Sequence, residues 1–193
     1  MNRVRNSYFE AVAPERFGFV RSTLRDVFRP TRFPDYVVSA AGLHYLCSEA
    51  SSFDNTGDRV FDPDEMLMRL KGDCQDQSVL LASMYLAAGL DVRFVRIDRP
   101  GGDRHVLPEV YCPVSDSQLT SDVLKEFYRR EVGESIGDVG WEGDREGSGV
   151  WLVADPVFSR YVGDIRDLRR DGYIEVDGSG GWEWTDLVEV HER

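Results

Sequence analysis

The stretch Lys71-Gly-Asp-Cys-Gln-Asp-Gln-Ser-Val-Leu-Leu-Ala-Ser-Met-Tyr-Leu-Ala-Ala-Gly-Leu90 turns a loop into a helix and puts a cysteine at the join. Val79, Leu80, Ser83, Met84 and Ala87 share one side at helical spacing, and Gly89 supplies the stop signal. The first N–H groups of a helix lack carbonyl partners and carry about half a positive charge. A thiol placed there ionises more readily, and the thiolate is the reactive form. Gly72 allows a tight turn and close backbone approach beside Cys74.

A cysteine nucleophile needs a base, and the chain holds three histidines. His44 falls in the expected helix Asp35–Ala50, where it reads as a helix-face residue, and His191 lies near the C-terminus. His105 opens the apolar run His105-Val-Leu-Pro-Glu-Val-Tyr-Cys112, which reads as a strand. A third group must hold the imidazole in its working tautomer. Asp155 is the candidate, since it follows the strand-like run Val150–Ala154 and precedes Pro156.

The ordered set Gly72-Asp73-Cys74, His105 and Ala154-Asp155-Pro156 resembles the transglutaminase-like superfamily, whose fold is of the papain type. The resemblance runs from about Asp35 to Asp164. It implies an α+β fold in which N-terminal helices precede a mostly antiparallel β-sheet and the nucleophile helix packs on that sheet. It also implies Cys74 as nucleophile, His105 as general acid–base and Asp155 as orienting carboxylate. The expected activity is hydrolysis of an amide or peptide bond in a peptide or protein substrate through a thioester. Two alternatives stay open: a transamidating acyltransferase, and a non-catalytic protein-binding module on the same fold. Leu107 stands where the family often carries an aromatic residue two positions after the histidine. Pro108 removes a ladder donor and predicts an edge or bulged strand.

A chain of 193 residues suits a single domain, with a core over about 35–164 and an insertion over about 113–149. Two apolar groups, Tyr8/Phe9/Val12 and Phe19/Val20/Leu24/Val27/Phe28, predict short helices before residue 34. The helix Asp35–Ala50 repeats Tyr36, Ala40, Leu43 and Cys47 on one face, and Ser51–Val60 reads as a polar loop. Asp62-Pro-Asp-Glu65 predicts a helix start with Asp62 as cap, Pro63 at the first position and Glu65 closing a capping box. Strands are expected over Asp91–Ile97 and His105–Cys112, paired antiparallel through a turn at Arg99–Asp103. A helix at Asp116–Val132, a strand at Val150–Ala154 and a helix or turn at Tyr161–Arg170 follow. Short strands at Tyr173–Val176 and Trp182–Val190 complete the reading.

The net charge is −12, and the cations are 21 Arg against two Lys, Lys71 and Lys125. Few lysines with many aspartates predicts a hydrated acidic surface of the kind found in salt-accumulating microbes, haloarchaea above all. Such a surface disfavours nucleic acid, whose binding needs phosphate neutralisation. No apolar run approaches the ~20 residues of a membrane span, and the N-terminus lacks the apolar core of a signal peptide. Three cysteines form no disulfide framework, which points to the cytoplasm. Cys47 and Cys112 read as packing residues, and no paired close spacing calls for a metal or cofactor. Asp73 and Asp76 read as complements to the helix dipole. Glu109, on the same strand face as His105, either steers a cationic group or pairs with an arginine. The four tryptophans, Trp141, Trp151, Trp182 and Trp184, read as sheet and core packing. Oligomeric state is not legible.

Overall fold

Two long helices carry the first half of the chain, each built on apolar residues at helical spacing. The computed structural model describes residues 10, 12–13, 16, 18–24, 30–55, 59–98, 104–114, 116–144, 146–177, 181–185 and 188–191. A short helix α1 (Gly18–Leu24) comes first, then α2 (Asp35–Ala50), which has the bounds its spacing predicts. Val12 and Val20 are buried, while Tyr8, Phe9, Val27 and Phe28 lie outside the described residues. Ser52–Phe53 (β1) pairs in parallel with Lys71–Gly72 (β2), so the expected polar loop contains a small ladder that anchors the approach to Cys74.

Helix α3 (Pro63–Arg69) starts at the expected place but not by the expected cap. The Asp62 side chain accepts no cap bond; it pairs instead with Arg16 at 3.1 Å. Glu65 pairs with Arg59 and Arg69. A tertiary partner for Asp62 and neighbouring arginines for Glu65 outcompete the box. Asp64 meanwhile accepts the Phe19 and Val20 N–H groups of α1.

Helix α4 (Cys74–Ala88) ends at Gly89, which takes φ 81°. Glycine alone tolerates that left-handed turn without strain. The apolar spacing predicts one buried side, yet every residue from Asp76 to Tyr85 is buried. Helices α1, α2 and α3 and the sheet all pack on α4, which makes it the centre of the core. Its polar side chains survive there because each is satisfied. Ser83 donates to the Val79 carbonyl, Tyr85 to the Ala40 carbonyl and Ser78 to the Val106 carbonyl at 2.7 Å. Each fully buried leucine of α4, Leu80 and Leu81 among them, contributes roughly 1.5–3 kcal/mol.

The main sheet has the order β5-β6-β4-β3-β9 and is antiparallel throughout. Its strands are β3 (Val92–Asp98), β4 (Arg104–Cys112), β5 (Glu142–Gly143), β6 (Val150–Val153) and β9 (Val188–His191). The turn at residues 99–103 lies outside the described residues. Between β4 and β5 run α5 (Ser117–Phe127), capped by Asp116 on the Leu119 N–H, and a π-helical turn, Tyr128–Val132. After β6 come α6 (Arg166–Arg170) and a hairpin of β7 (Ile174–Val176) and β8 (Trp182–Trp184). The single C-terminal strand expected over Trp182–Val190 is therefore two. β8 pairs with β7, and β9 joins the edge of β3.

Alternate residues send the sheet's two faces to two cores. Phe94, Val106, Val110, Cys112 and Leu152 face α4 and α2. Val95, Ile97, Leu107 and Val153 face Tyr173, Ile174 and Trp182 of the hairpin layer. Leu107 thus fills the second core.

The expectation of an edge position for the Pro108 strand is overturned, since β4 pairs with both β3 and β6. The Pro108 carbonyl accepts the Ala154 N–H at 3.0 Å, but proline has no N–H to return the bond. The β4–β6 ladder stops one step earlier, at Glu109–Val153. The proline sits where pairing ends and the chain turns away toward Asp155.

Candidate active site

The start of α4 is built by two aspartates. Asp73 caps it, accepting the Gln75 N–H at 2.9 Å and the Asp76 N–H at 3.2 Å. Asp76 returns the favour to the Asp73 N–H at 3.1 Å and also accepts the Phe61 N–H at 2.7 Å. Gly72 is required here by space: a Cβ on it would meet the Asp76 Cβ at 2.5 Å and the Met66 sulfur at 2.9 Å. This capping box takes the Gln75 and Asp76 N–H groups, and among the described residues none caps that of Cys74. Asp73 and Asp76 are therefore structural, as their position in the first turn suggests.

Cys74 is the first residue of α4 and is half-buried. Its sulfur lies 3.9 Å from the carbonyl oxygen of Arg104, the residue immediately before His105. Ser78, one turn further along α4, ties the helix to β4 on the other side of His105 through the Val106 carbonyl. Helix and strand are thus bolted together on both sides of the imidazole.

His105 is buried, and its Nε2 lies 2.6 Å from Oδ2 of Asp155. An ionised carboxylate only accepts, so Nε2 carries the hydrogen and Nδ1 is the nitrogen left for exchange. Burial opposes the charged ring. The Asp155 carboxylate, by charge and hydrogen bond, and the Cys74 sulfur outweigh it and raise the imidazole pKa to about 9. The Phe158 ring meets the imidazole edge-on, with centroids 4.9 Å apart.

Asp155 is held from several directions. Its Oδ1 accepts the Val157 N–H at 2.9 Å and the Phe158 N–H at 3.2 Å. Burial alone would raise its pKa; the charge and hydrogen bond of His105, with those two N–H groups, keep it below the usual carboxylate range. Its backbone carbonyl lies 3.1 Å from Nε2 of His44. His44 is fully buried, and burial lowers its pKa, so the ring is neutral and donates to that carbonyl. The helix-face reading of His44 misses this support. The signal was present, because Ala40, Leu43, His44 and Cys47 form one i, i+3, i+4, i+7 stripe with a polar residue inside it.

The remaining candidates lie elsewhere. Burial pushes the Cys47 and Cys112 thiols up to about 12, which makes both inert packing residues. Glu109 pairs with Arg93 at 2.5 Å inside the second layer, and Arg93 also pairs with Glu142 and stacks over Trp151. Trp182 is buried, and none of the four tryptophans lines the cavity that holds His105, Asp155 and Phe158. Among the described residues, no group of three or more His, Cys, Asp or Glu side chains is arranged to hold a metal ion. Nor is any helix long and apolar enough to cross a membrane.

The profile of the transglutaminase-like superfamily matches residues 30–130, which include Cys74 and His105 and stop before Asp155. No curated protein matches the chain. Among solved structures, calcium-bound LapG of Legionella pneumophila is similar over 89% of this chain and 78% of its own, at 14% identity and a TM-score of 0.46. A Cytophaga hutchinsonii protein described as a candidate cysteine protease is similar over 96% of this chain and 51% of its own, at 11% identity and a TM-score of 0.44.

Proposed function

This chain belongs to the transglutaminase-like superfamily, and on that premise we propose that it is a cysteine-dependent hydrolase of amide or peptide bonds. Cys74 is the nucleophile, His105 the general acid–base and Asp155 the carboxylate that orients the ring. The observation that carries this reading is the buried 2.6 Å His105–Asp155 bond, set beside a helix whose first residue is a half-buried cysteine. Structural histidines are also found paired with carboxylates. What separates this one is the neighbouring sulfur, which contributes to its raised pKa.

The chemistry follows from those positions. The Cys74 proton passes to Nδ1 of His105, and Asp155 stabilises the imidazolium without taking the proton. The thiolate adds to the substrate carbonyl. The negative charge on its oxygen develops at the start of α4, where the dipole and the uncapped Cys74 N–H favour it. Collapse expels the amine, which leaves with the proton from His105, and a thioester remains. Water, deprotonated by His105, adds to the thioester and releases the acid and the thiol. An amine in place of water would give transamidation from the same intermediate. Peptide or protein is the expected substrate, and three free thiols suit a reducing cytoplasm.

Electrophile labelling tests the reading. At neutral pH, iodoacetamide followed by peptide mapping should modify Cys74 well before Cys47 and Cys112. Cys74→Ala should abolish turnover of a casein or peptide-library substrate while circular dichroism stays unchanged. Equal, slow labelling of all three thiols, or turnover that survives Cys74→Ala, would overturn the mechanism. Adding a primary amine and weighing the products separates transamidation from hydrolysis.

A further inference from the structure

A recess of about 340 Å³ lies on the other side of α6 from the cavity lined by His105 and Asp155. Helix α6 is the shared wall: Arg166 and Arg169 line the recess, while Asp167 and Leu168 line the cavity that holds His105 and Asp155. Lys125 of α5 and Arg169 line the same recess. Neither cation makes an ion pair or side-chain hydrogen bond among the described residues.

That pairing state is unusual for its surroundings. In a chain of net charge −12, carboxylates are plentiful, and Arg129, Arg130, Arg166 and Arg170 nearby are all held by them. Lys125 is also one of two lysines in the whole sequence. Ser121 and Ser117 stand one and two turns before it on the same helix and add hydroxyl donors. Trp141 adds an apolar surface to the lining. Asp138 is the carboxylate of the lining, and it suits a main-chain N–H of a bound strand. Two cations, two hydroxyls and an indole together match a carboxylate on an apolar stem better than a bare ion.

We propose that this recess docks an acidic segment of a polypeptide substrate, with a Glu or Asp side chain held by Lys125 and Arg169 while the segment crosses α6 toward the side that holds His105 and Asp155. The substrate role rests on the hydrolase reading above; the binding does not. Docking is local, since the two cations act within a few ångströms while the chain's overall negative charge is screened beyond about 8 Å at physiological salt.

Fluorescence anisotropy with labelled hexaglutamate on the full-length Cys74→Ala protein reads binding without cleavage. The expected result is saturable binding that weakens by about tenfold or more in Lys125→Glu/Arg169→Glu, a loss of about 1.4 kcal/mol per decade. Lys125→Gln/Arg169→Gln should weaken it by less, and hexalysine should not compete. Equal affinity in the parent and both double variants would overturn the proposal, and so would full displacement by millimolar inorganic phosphate, which would mark a simple anion site. The two readings fail separately. Turnover that survives Cys74→Ala removes the hydrolase and leaves the docking result standing, whereas intact turnover with unchanged hexaglutamate binding in the charge-reversed variants removes the docking site alone.

Discussion

His44 shows how much of the candidate site lies behind the reacting groups. Its neutral ring donates to the Asp155 carbonyl from a helix 111 positions away in sequence. His44→Phe removes that donor and leaves a buried carbonyl without it. Chemical denaturation should show a loss of about 1–3 kcal/mol. The kcat should fall more than KM rises, because the variant loosens Asp155 rather than any substrate contact. Asp155→Asn should cost more, on the order of 10⁴-fold in kcat, since an amide no longer selects the working tautomer. The imidazole also sets a pH window. A pKa raised from 6.5 to about 9 means the folded chain binds that proton more tightly than the unfolded one. The resulting stability is complete below pH about 6.5 and disappears as pH rises through about 9. Thermal unfolding across that window should show the decline, and His105→Gln should flatten it. Turnover through a thiolate–imidazolium pair should fall on the same alkaline limb.

At the scale of elements, what was legible in the sequence was local. The bounds of α2 and the start and stop of α4 follow from apolar spacing, a loop-to-helix join at Cys74 and a glycine stop at Gly89, all local signals. The pairing of β3 with β4 follows from a short connection. What could not be read depends on distant partners. Asp62 and Glu65 fit a capping box on paper, yet Arg16, 46 residues away, claims Asp62, and Arg59 and Arg69 nearby claim Glu65. Pro108 reads as an edge signal, but a central strand accommodates it where one ladder ends. The burial of α4 on all sides needs knowledge of three helices and a sheet that no spacing rule supplies. The pairing of His105 with Asp155 was legible as a set of residue types, whereas the contacts of His44 and Phe158 with that pair appear only in three dimensions. Gly72→Ala tests how tightly β2 and α4 are joined. The added methyl meets Asp76 and Met66, so calorimetry should register about 1–3 kcal/mol of overpacking. Labelling of Cys74 should change with it, because the displaced groups cap its helix.

The molecule as a whole divides its charge unevenly. One buried cluster, Arg93 between Glu109 and Glu142, sits within the second layer, and burial pushes the Glu109 carboxyl up to about 7 against the pull of Arg93. Arg93→Met leaves those carboxylates without their cation and should destabilise the fold by about 3–5 kcal/mol. The surface is a separate matter, with a net charge of −12 repelling itself. Raising potassium chloride from millimolar to molar shortens the screening length to about 3 Å. The unfolding temperature should climb with it, and a flat response would count against a salt-adapted surface.

The arrival of β9 at the rim of β3 has a practical corollary. Residues 188–191 come after every other strand of the sheet, and they cover the outer main-chain groups of Phe94–Ile97. A protease nick or a premature stop ahead of residue 188 would uncover a ready template for any passing extended peptide. Such shortened molecules should cluster with one another or capture foreign strands, long before their helical half loses its shape.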